Sequence, residues 1–103
     1  MPTPADIRAL LAEEPNDPFL LYALAQALAG EADHAAALEQ YDRTLAADPR
    51  YFAAYYHKAK SLIALGRLAE ARSLLQTGIA AAAAGSDHHT AGEMSELLAG
   101  IDD

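Results

Sequence analysis

The side chains of this sequence that are suited to catalysis or metal binding are four histidines and fifteen carboxylates, with no cysteine thiol among them. Histidine binds a metal or acts as a base when other groups of ligand type share its face, three or four residues away on a helix. In the doublet His88-His89, only His89 has such a neighbour, Glu93. One such pair supplies too few ligands for a metal site, and the sequence has no glycine-rich phosphate loop. We therefore predict no catalytic residue, no cofactor and no metal, and hence no enzyme.

A second set of residues suits binding instead. Tyr22 and Tyr56 occupy equivalent positions in two similar segments of the chain, and each belongs to a stripe with the helical spacing i, i+3, i+7 and i+10. Tyrosine offers a large amphipathic surface at low entropic cost, which makes it common in protein interfaces. The candidate partner-binding residues on these two stripes are Phe19, Tyr22, Gln26, Tyr56, Lys60 and Ile63.

The spacing of the tyrosines is part of a longer internal repeat. When residues 15–48 are laid over residues 49–82, apolar and small residues coincide: Tyr22 with Tyr56, Ala25 with Ala59, Leu28 with Leu62, Ala37 with Ala71 and Leu45 with Ile79. A period between 20 and 50 residues is typical of a unit that buries its apolar face only by stacking on a copy of itself. The chain is therefore predicted to be a short helical array.

The residues within each period resemble those of the tetratricopeptide repeat family. The second unit carries large and small residues at family spacing: Phe52, Tyr55, Ala59, Leu62, Gly66, Ala71, Leu75 and Ile79. The first unit carries Leu21, Ala25, Leu28, Ala37, Tyr41 and the stop Asp48-Pro49, with Ala32 where the family has a glycine between its two helices. The resemblance implies that the stripes of Tyr22 and Tyr56 line a concave groove that binds extended peptides or helices.

The elements that would position these residues are helices throughout. The chain is rich in alanine and leucine and lacks valine and tryptophan, which disfavours strands. Start and stop signals predict about six helices in an all-α, antiparallel helix-hairpin array, with Gly66 in a left-handed turn. The predicted single domain, residues 1–103, has a capping helix over 3–14, repeats over 15–49 and 50–84, and a second capping helix over 87–101. The stripes Ile7, Leu10 and Leu11, and Met94, Leu97, Leu98 and Ile101, would face the repeats.

Charge is distributed unevenly along the chain. Residues 1–42 contain eight acids and one arginine, residues 43–72 contain six bases and two acids, and residues 73–103 contain five acids and no lysine or arginine. A nucleic-acid partner is not expected, because acidic flanks oppose phosphate binding. No apolar stretch is long enough to span a membrane and the start lacks a signal sequence, so we expect a cytoplasmic protein. The basic middle, with Lys60 beside His57 and Lys58, is either a steering surface for an acidic peptide or a solvated surface.

The predicted function is non-catalytic binding of another protein or peptide in the groove. The alternative is a structural homodimer that uses the same stripe for self-association, so the chain is either a monomer or a homodimer. One further question stays open at the level of sequence. The helix around Phe19 and Tyr22 is apolar on all sides, so the end helices either leave the groove open or cover Phe19 and Tyr22, with only Tyr56, Lys60 and Ile63 accessible.

Overall fold

The chain forms six α-helices joined by short connections, and this computed structural model describes residues 2–102. The helices are α1 (Pro4–Glu13), α2 (Pro18–Gly30), α3 (His34–Ala47), α4 (Phe52–Ala64), α5 (Leu68–Ala84) and α6 (His88–Asp102). No strand occurs in the part of the chain that is described. The all-α helical array predicted from the period is confirmed. Met1 and Asp103, the ends of the predicted domain, lie outside the described residues.

Side-chain caps begin most of the helices. The Thr3 hydroxyl accepts a hydrogen bond from the Asp6 N–H, and the Asp6 carboxylate accepts one from the Thr3 N–H, a reciprocal capping box. Asp17, Asp33 and Asp87 cap α2, α3 and α6 in the same way, each accepting from the backbone N–H three residues later. Tyr51 and Arg67, which precede α4 and α5, make no side-chain capping bond.

Each helix packs on the next in the chain, and α2, α4 and α6 also contact one another in that order. These three form one layer, and α1, α3 and α5 form the other, giving a body of 40 × 29 × 21 Å. Fully buried alanines lie where the helices approach most closely: Ala25, Ala37, Ala54, Ala59, Ala71 and Ala82. The repeated small residues thus set the distance between the layers.

The end helices cover apolar residues of their neighbours. Ile7 and Leu11 of α1 join the core cluster of α2 and α3, whereas Leu10 is 55% exposed, so its predicted inward orientation is wrong. Leu10 adjoins both buried residues but lies beyond the edge of the narrow stripe that faces α2. Met94 of α6 is fully buried against α4 and α5, and Leu97, Leu98 and Ile101 are partly buried around it. Within residues 2–102, no helix has both the length and the apolar character that crossing a membrane requires.

Candidate functional site

The layer formed by α2, α4 and α6, which we call the inner layer, presents the two stripes that contain Tyr22 and Tyr56. We call the surface formed by Phe19, Tyr22, Gln26, Tyr56, Lys60 and Ile63 the inner face. Tyr22 lies on α2 and Tyr56 on α4. His57 lies between them, with its ring centroid 5.8 Å from that of Tyr22 and 5.0 Å from that of Tyr56, both in edge-on geometry. Residues of two successive repeats therefore form one continuous aromatic surface.

Tyr51 extends this surface at its other end. Its ring centroid lies 4.8 Å from that of Tyr22, and Tyr22 is also 6.2 Å from the ring of Tyr41. The rings of Tyr51, Tyr22, His57 and Tyr56, which we call the aromatic row, pack in that order. All four side chains are half-buried, so the row has a supported base and an accessible edge.

The polar group of Gln26 is held by the core. Its side-chain oxygen accepts a hydrogen bond from the Tyr41 hydroxyl, and Tyr41 is fully buried. This bond satisfies a phenol that would otherwise be buried without a partner. Gln26 therefore fixes the inner layer on α3 in addition to lining the inner face.

Phe19 and Lys60 are the accessible members of the inner face. Phe19 is 65% exposed, so the alternative in which the end helices cover it is wrong. Lys60 is exposed, with its Nζ atom 5.4 Å from the ring centroid of Tyr56. Ile63, expected to be accessible, is partly buried beside Leu62.

The charges around the inner face are not those expected for a basic cluster. Lys58 pairs with Asp42 of α3 at 2.6 Å, so it does not join Lys60. Among the described residues, no carboxylate forms an ion pair with Lys60. Lys60 is therefore an accessible cation beside an aromatic ring, an arrangement that favours an acidic group on a partner.

Burial shifts the pKa values of three members of the aromatic row, Tyr22, Tyr51 and His57. Burial raises the pKa of Tyr22 to about 12, and the neighbouring Tyr51 and Glu93 add to this effect. Burial, together with the charge of Lys60, lowers the pKa of His57, whereas Glu93 opposes that shift. The pKa of Tyr41 is raised mainly by burial. At neutral pH these shifts keep Tyr22 and His57 uncharged, with Lys60 on α4 and Glu93 on α6 nearby.

Three residues at this site were not among the predicted partner-binding residues: Tyr51, His57 and Glu93. For Tyr51 the sequence does carry a signal, because it stands one repeat period after Asp17 and at the same N-cap position as Asp17 and Asp87. Tyr51 occupies this capping position but makes no capping bond with its side chain, and its ring packs on Tyr22. Glu93 has no such signal, since only the placement of α6 brings it near His57.

The histidines do not converge with carboxylates into a ligand set. His89 Nε2 lies 3.4 Å from Glu93 Oε1, as the spacing of four residues predicts. His34 Nδ1 is 3.1 Å from the Ser61 hydroxyl, in a contact between α3 and α4. Across residues 2–102, no three His, Asp or Glu side chains lie close enough together to hold a metal ion.

Known sequences and structures agree with this architecture. The sequence model of the tetratricopeptide repeat matches residues 28–92, more than half of the chain. The chain belongs to the tetratricopeptide repeat family. The resemblance inferred from the internal period is thus confirmed. No curated protein sequence matches the chain.

Several solved structures share the fold of this tetratricopeptide repeat domain. A tetratricopeptide repeat domain protein from Salinibacter ruber, solved by NMR, is 29% identical with a TM-score of 0.78, over 84% of this chain and 88% of that one. A protein from Bordetella parapertussis is 26% identical with a TM-score of 0.88, over 99% and 89% of the two chains. The type III secretion translocator chaperone SycD of Yersinia enterocolitica has a TM-score of 0.87 at 21% identity, over 96% and 69%, which shows the fold alone.

Proposed function

We propose that this domain binds a segment of another protein across its inner face and has no catalytic role. Tetratricopeptide repeat domains are in general protein-interaction modules, which supports the class of function. The observation that carries the finer proposal is the aromatic row, because it crosses from one repeat to the next while exposed Phe19 and Lys60 lie on the same layer.

The chemistry of the inner face favours a particular kind of segment. An exposed phenylalanine and the accessible edges of half-buried rings fit an apolar or aromatic side chain on the partner. Lys60 above Tyr56 favours a carboxylate on the partner at that point, while Glu93 disfavours one near His57. The proposed ligand is therefore an amphipathic peptide with an apolar anchor and an acid directed to Lys60.

Capture of the natural partner from a native lysate by immobilised variants tests this proposal. Truncation of a central aromatic anchor commonly costs about 2 kcal/mol or more in binding, so Tyr56→Ala and Phe19→Ala should each weaken capture by at least about tenfold. Lys60→Glu should weaken it most at low salt. Leu10→Ala, which removes an apolar side chain from α1 that is 55% exposed against 65% for Phe19, is the control and should leave capture unchanged.

Folded Phe19→Ala and Tyr56→Ala variants that both retain full partner affinity would contradict the proposal. Tyr22→Ala is expected mainly to destabilise the domain, because its ring packs on Tyr41, Tyr51 and His57. Sedimentation equilibrium separates partner binding from self-association. With a formal net charge of −8, we expect a monomer, and a dimer that Tyr56→Ala dissociates would assign the inner face to self-association.

A further inference from the structure

A second surface lies beside the aromatic row, between the start of the chain and α2, and it shares Gln26 with the inner face. It is a cleft of about 400 Å³, with Pro4 and Ile7 on one wall and Ala23, Ala27 and Gly30 on the other. The lining is mainly apolar. Ala23 and Ala27 are only partly buried and Gly30 is exposed, so α1 covers this face of α2 incompletely.

The wall on α2 has the geometry of a helix-packing surface. Ala23, Ala27 and Gly30 are spaced i, i+4 and i+7, so they lie in one row along the helix. Side chains this small allow the backbone of another helix to approach closely. A Cβ atom built at Gly30 would meet nothing within 4 Å, so the cleft is open there.

The internal repeat shows what covers the same face elsewhere in this chain. The equivalent positions in the second repeat are His57, Ser61 and Ala64 on α4. There the ring of Tyr22 on α2 packs against His57, and His34 on α3 contacts Ser61, which is only 2% exposed. At His57 and Ser61 this face of α4 therefore contacts the preceding helix hairpin, α2 and α3, whereas Ala64 is exposed.

Within residues 2–102, the first repeat is preceded by one helix, α1, and not by a helix hairpin. α1 stands before α2 as α3 stands before α4, and Pro15 and Pro49, which are equivalent in the repeat, lie in the two connections. Within residues 2–102, no helix has the position relative to α2 that α2 has relative to α4. The cleft lies at that position, so its shape suits one more helix.

The charge around the cleft indicates what kind of helix would bind there. Glu31 lines the cleft, and residues 2–33 contain six acids and one arginine. A helix with basic flanks complements this charge. A second copy of this chain would instead bring a net charge of −8, and its residues 73–103 have five acids and no lysine or arginine. We propose that the cleft between α1 and α2 binds a basic amphipathic helix of a partner protein, which extends the array by one inner-layer helix.

The probe for this proposal is a synthetic peptide of 13 residues, the length of α2 and of α4. It carries alanine and leucine on one face and lysine on the flanks, and a side-chain staple on its outer face holds it helical, because a free helix of this length is marginal. An otherwise identical peptide with glutamate in place of lysine is the charge control. Binding is followed by ¹⁵N NMR on the full chain.

We expect saturable shifts of the amides of Ala23, Ala27 and Gly30 with the basic peptide, and at least about tenfold weaker binding of the acidic peptide. Gly30→Trp places a bulky side chain at a position where a Cβ atom meets nothing within 4 Å, and it should weaken binding at least about tenfold. Gly92→Trp, at another helical glycine with open space around its Cβ position, should not. Glu31→Lys should weaken binding and reduce its salt dependence, whereas Glu39→Lys, an equal charge change outside the cleft lining, should leave both unchanged.

Equal affinity for the two peptides, no saturable shift at millimolar peptide, or shifts centred on Tyr22 and Tyr56 would each overturn the proposal. Concentration-dependent shifts of the cleft amides without peptide would assign the cleft to a second copy and overturn it as well. The proposals for the cleft and for the inner face can be refuted independently of each other. Phe19→Ala, a change outside the cleft lining, should weaken binding at the inner face by at least about tenfold and leave the basic peptide bound.

Discussion

Three helices of this domain end at a residue in the left-handed conformation, and only one of these residues is glycine. The φ angles are 62° at Ala32 after α2, 75° at Gly66 after α4 and 64° at Ser86 after α5. At each end, two backbone N–H groups return to the last turn, such as Asp33 N to Leu28 O at 2.9 Å. This is the Schellman arrangement, which satisfies helix-end carbonyls and favours glycine at the left-handed position.

The conformation predicts opposite effects for opposite substitutions. A Cβ atom on a left-handed residue costs about 1–2 kcal/mol. Glycine avoids this cost but lowers the free energy of unfolding by about 0.4–1 kcal/mol, because the unfolded chain has more conformational freedom. The net difference is about 0.5–1 kcal/mol in favour of glycine. Ala32→Gly and Ser86→Gly should therefore each stabilise the domain by that amount, and Gly66→Ala should destabilise it equally. A Cβ atom at Gly66 would meet nothing within 4 Å, so no clash adds to the effect.

Gly30→Ala is the matched control, because it makes the same chemical change in equally open space but at the last residue of α2, where the φ angle is not left-handed. In a helical conformation alanine is favoured by about 0.5–1 kcal/mol, so this variant should be more stable than the natural sequence. Urea unfolding followed by far-UV circular dichroism measures the free energy of unfolding, with an unchanged m-value as the check on two-state behaviour. A difference of about 1 kcal/mol shifts Tm by roughly 4–8 °C in a domain of this size.

The prediction is tested by whether Gly66→Ala and Gly30→Ala change the free energy of unfolding in opposite directions. If both substitutions move the urea midpoint in the same direction, the left-handed conformation is not what sets the preference at Gly66. If Ala32→Gly lowers stability, the backbone at that helix end is not left-handed in solution.

Other predictions concern packing, salt and pH. Gly78→Ala should destabilise by about 1–3 kcal/mol in urea unfolding, because a Cβ atom there would lie 2.7 Å from the sulfur of Met94 and 2.9 Å from the Cβ of Tyr55. Met94→Ala should cost about 2–5 kcal/mol, since Met94 is fully buried between α4 and α5; an unchanged midpoint would show that α6 is not part of the core. Raising NaCl to about 0.5 M should raise Tm by screening the repulsion within an acidic chain, whereas a fall would show that attractive pairs dominate. The pKa of Tyr22 is raised from 10.0 to about 12, so its contribution to stability is complete below pH 10 and is lost as pH rises towards 12. Absorbance at about 295 nm should therefore show Tyr22 and Tyr41 ionising later than in the urea-unfolded chain, and coincident curves would contradict their burial.

Much of the fold could be predicted from local features of the sequence. The internal period, the caps at Thr3, Asp17 and Asp33, and the stop at Asp48-Pro49 act within a few residues of themselves, so their effects do not depend on the rest of the molecule. The small residues that recur at contact positions then leave stacked hairpins as the arrangement that buries both layers. The left-handed turn at Gly66 follows from the same local chemistry.

The tertiary structure decided which residues of the stripes are accessible. A helix apolar on all sides does not specify which side its neighbours cover, so Phe19 in solvent and Ile63 partly buried depend on where α1 and α6 pack. His57 joins Tyr22 to Tyr56, and Glu93 comes near them, through contacts between residues far apart in the chain. The sequence by itself determined the repeat unit, because capping and helical periodicity are local. Only packing between the units decided which side chains are accessible, because the burial of a residue depends on neighbours distant in sequence.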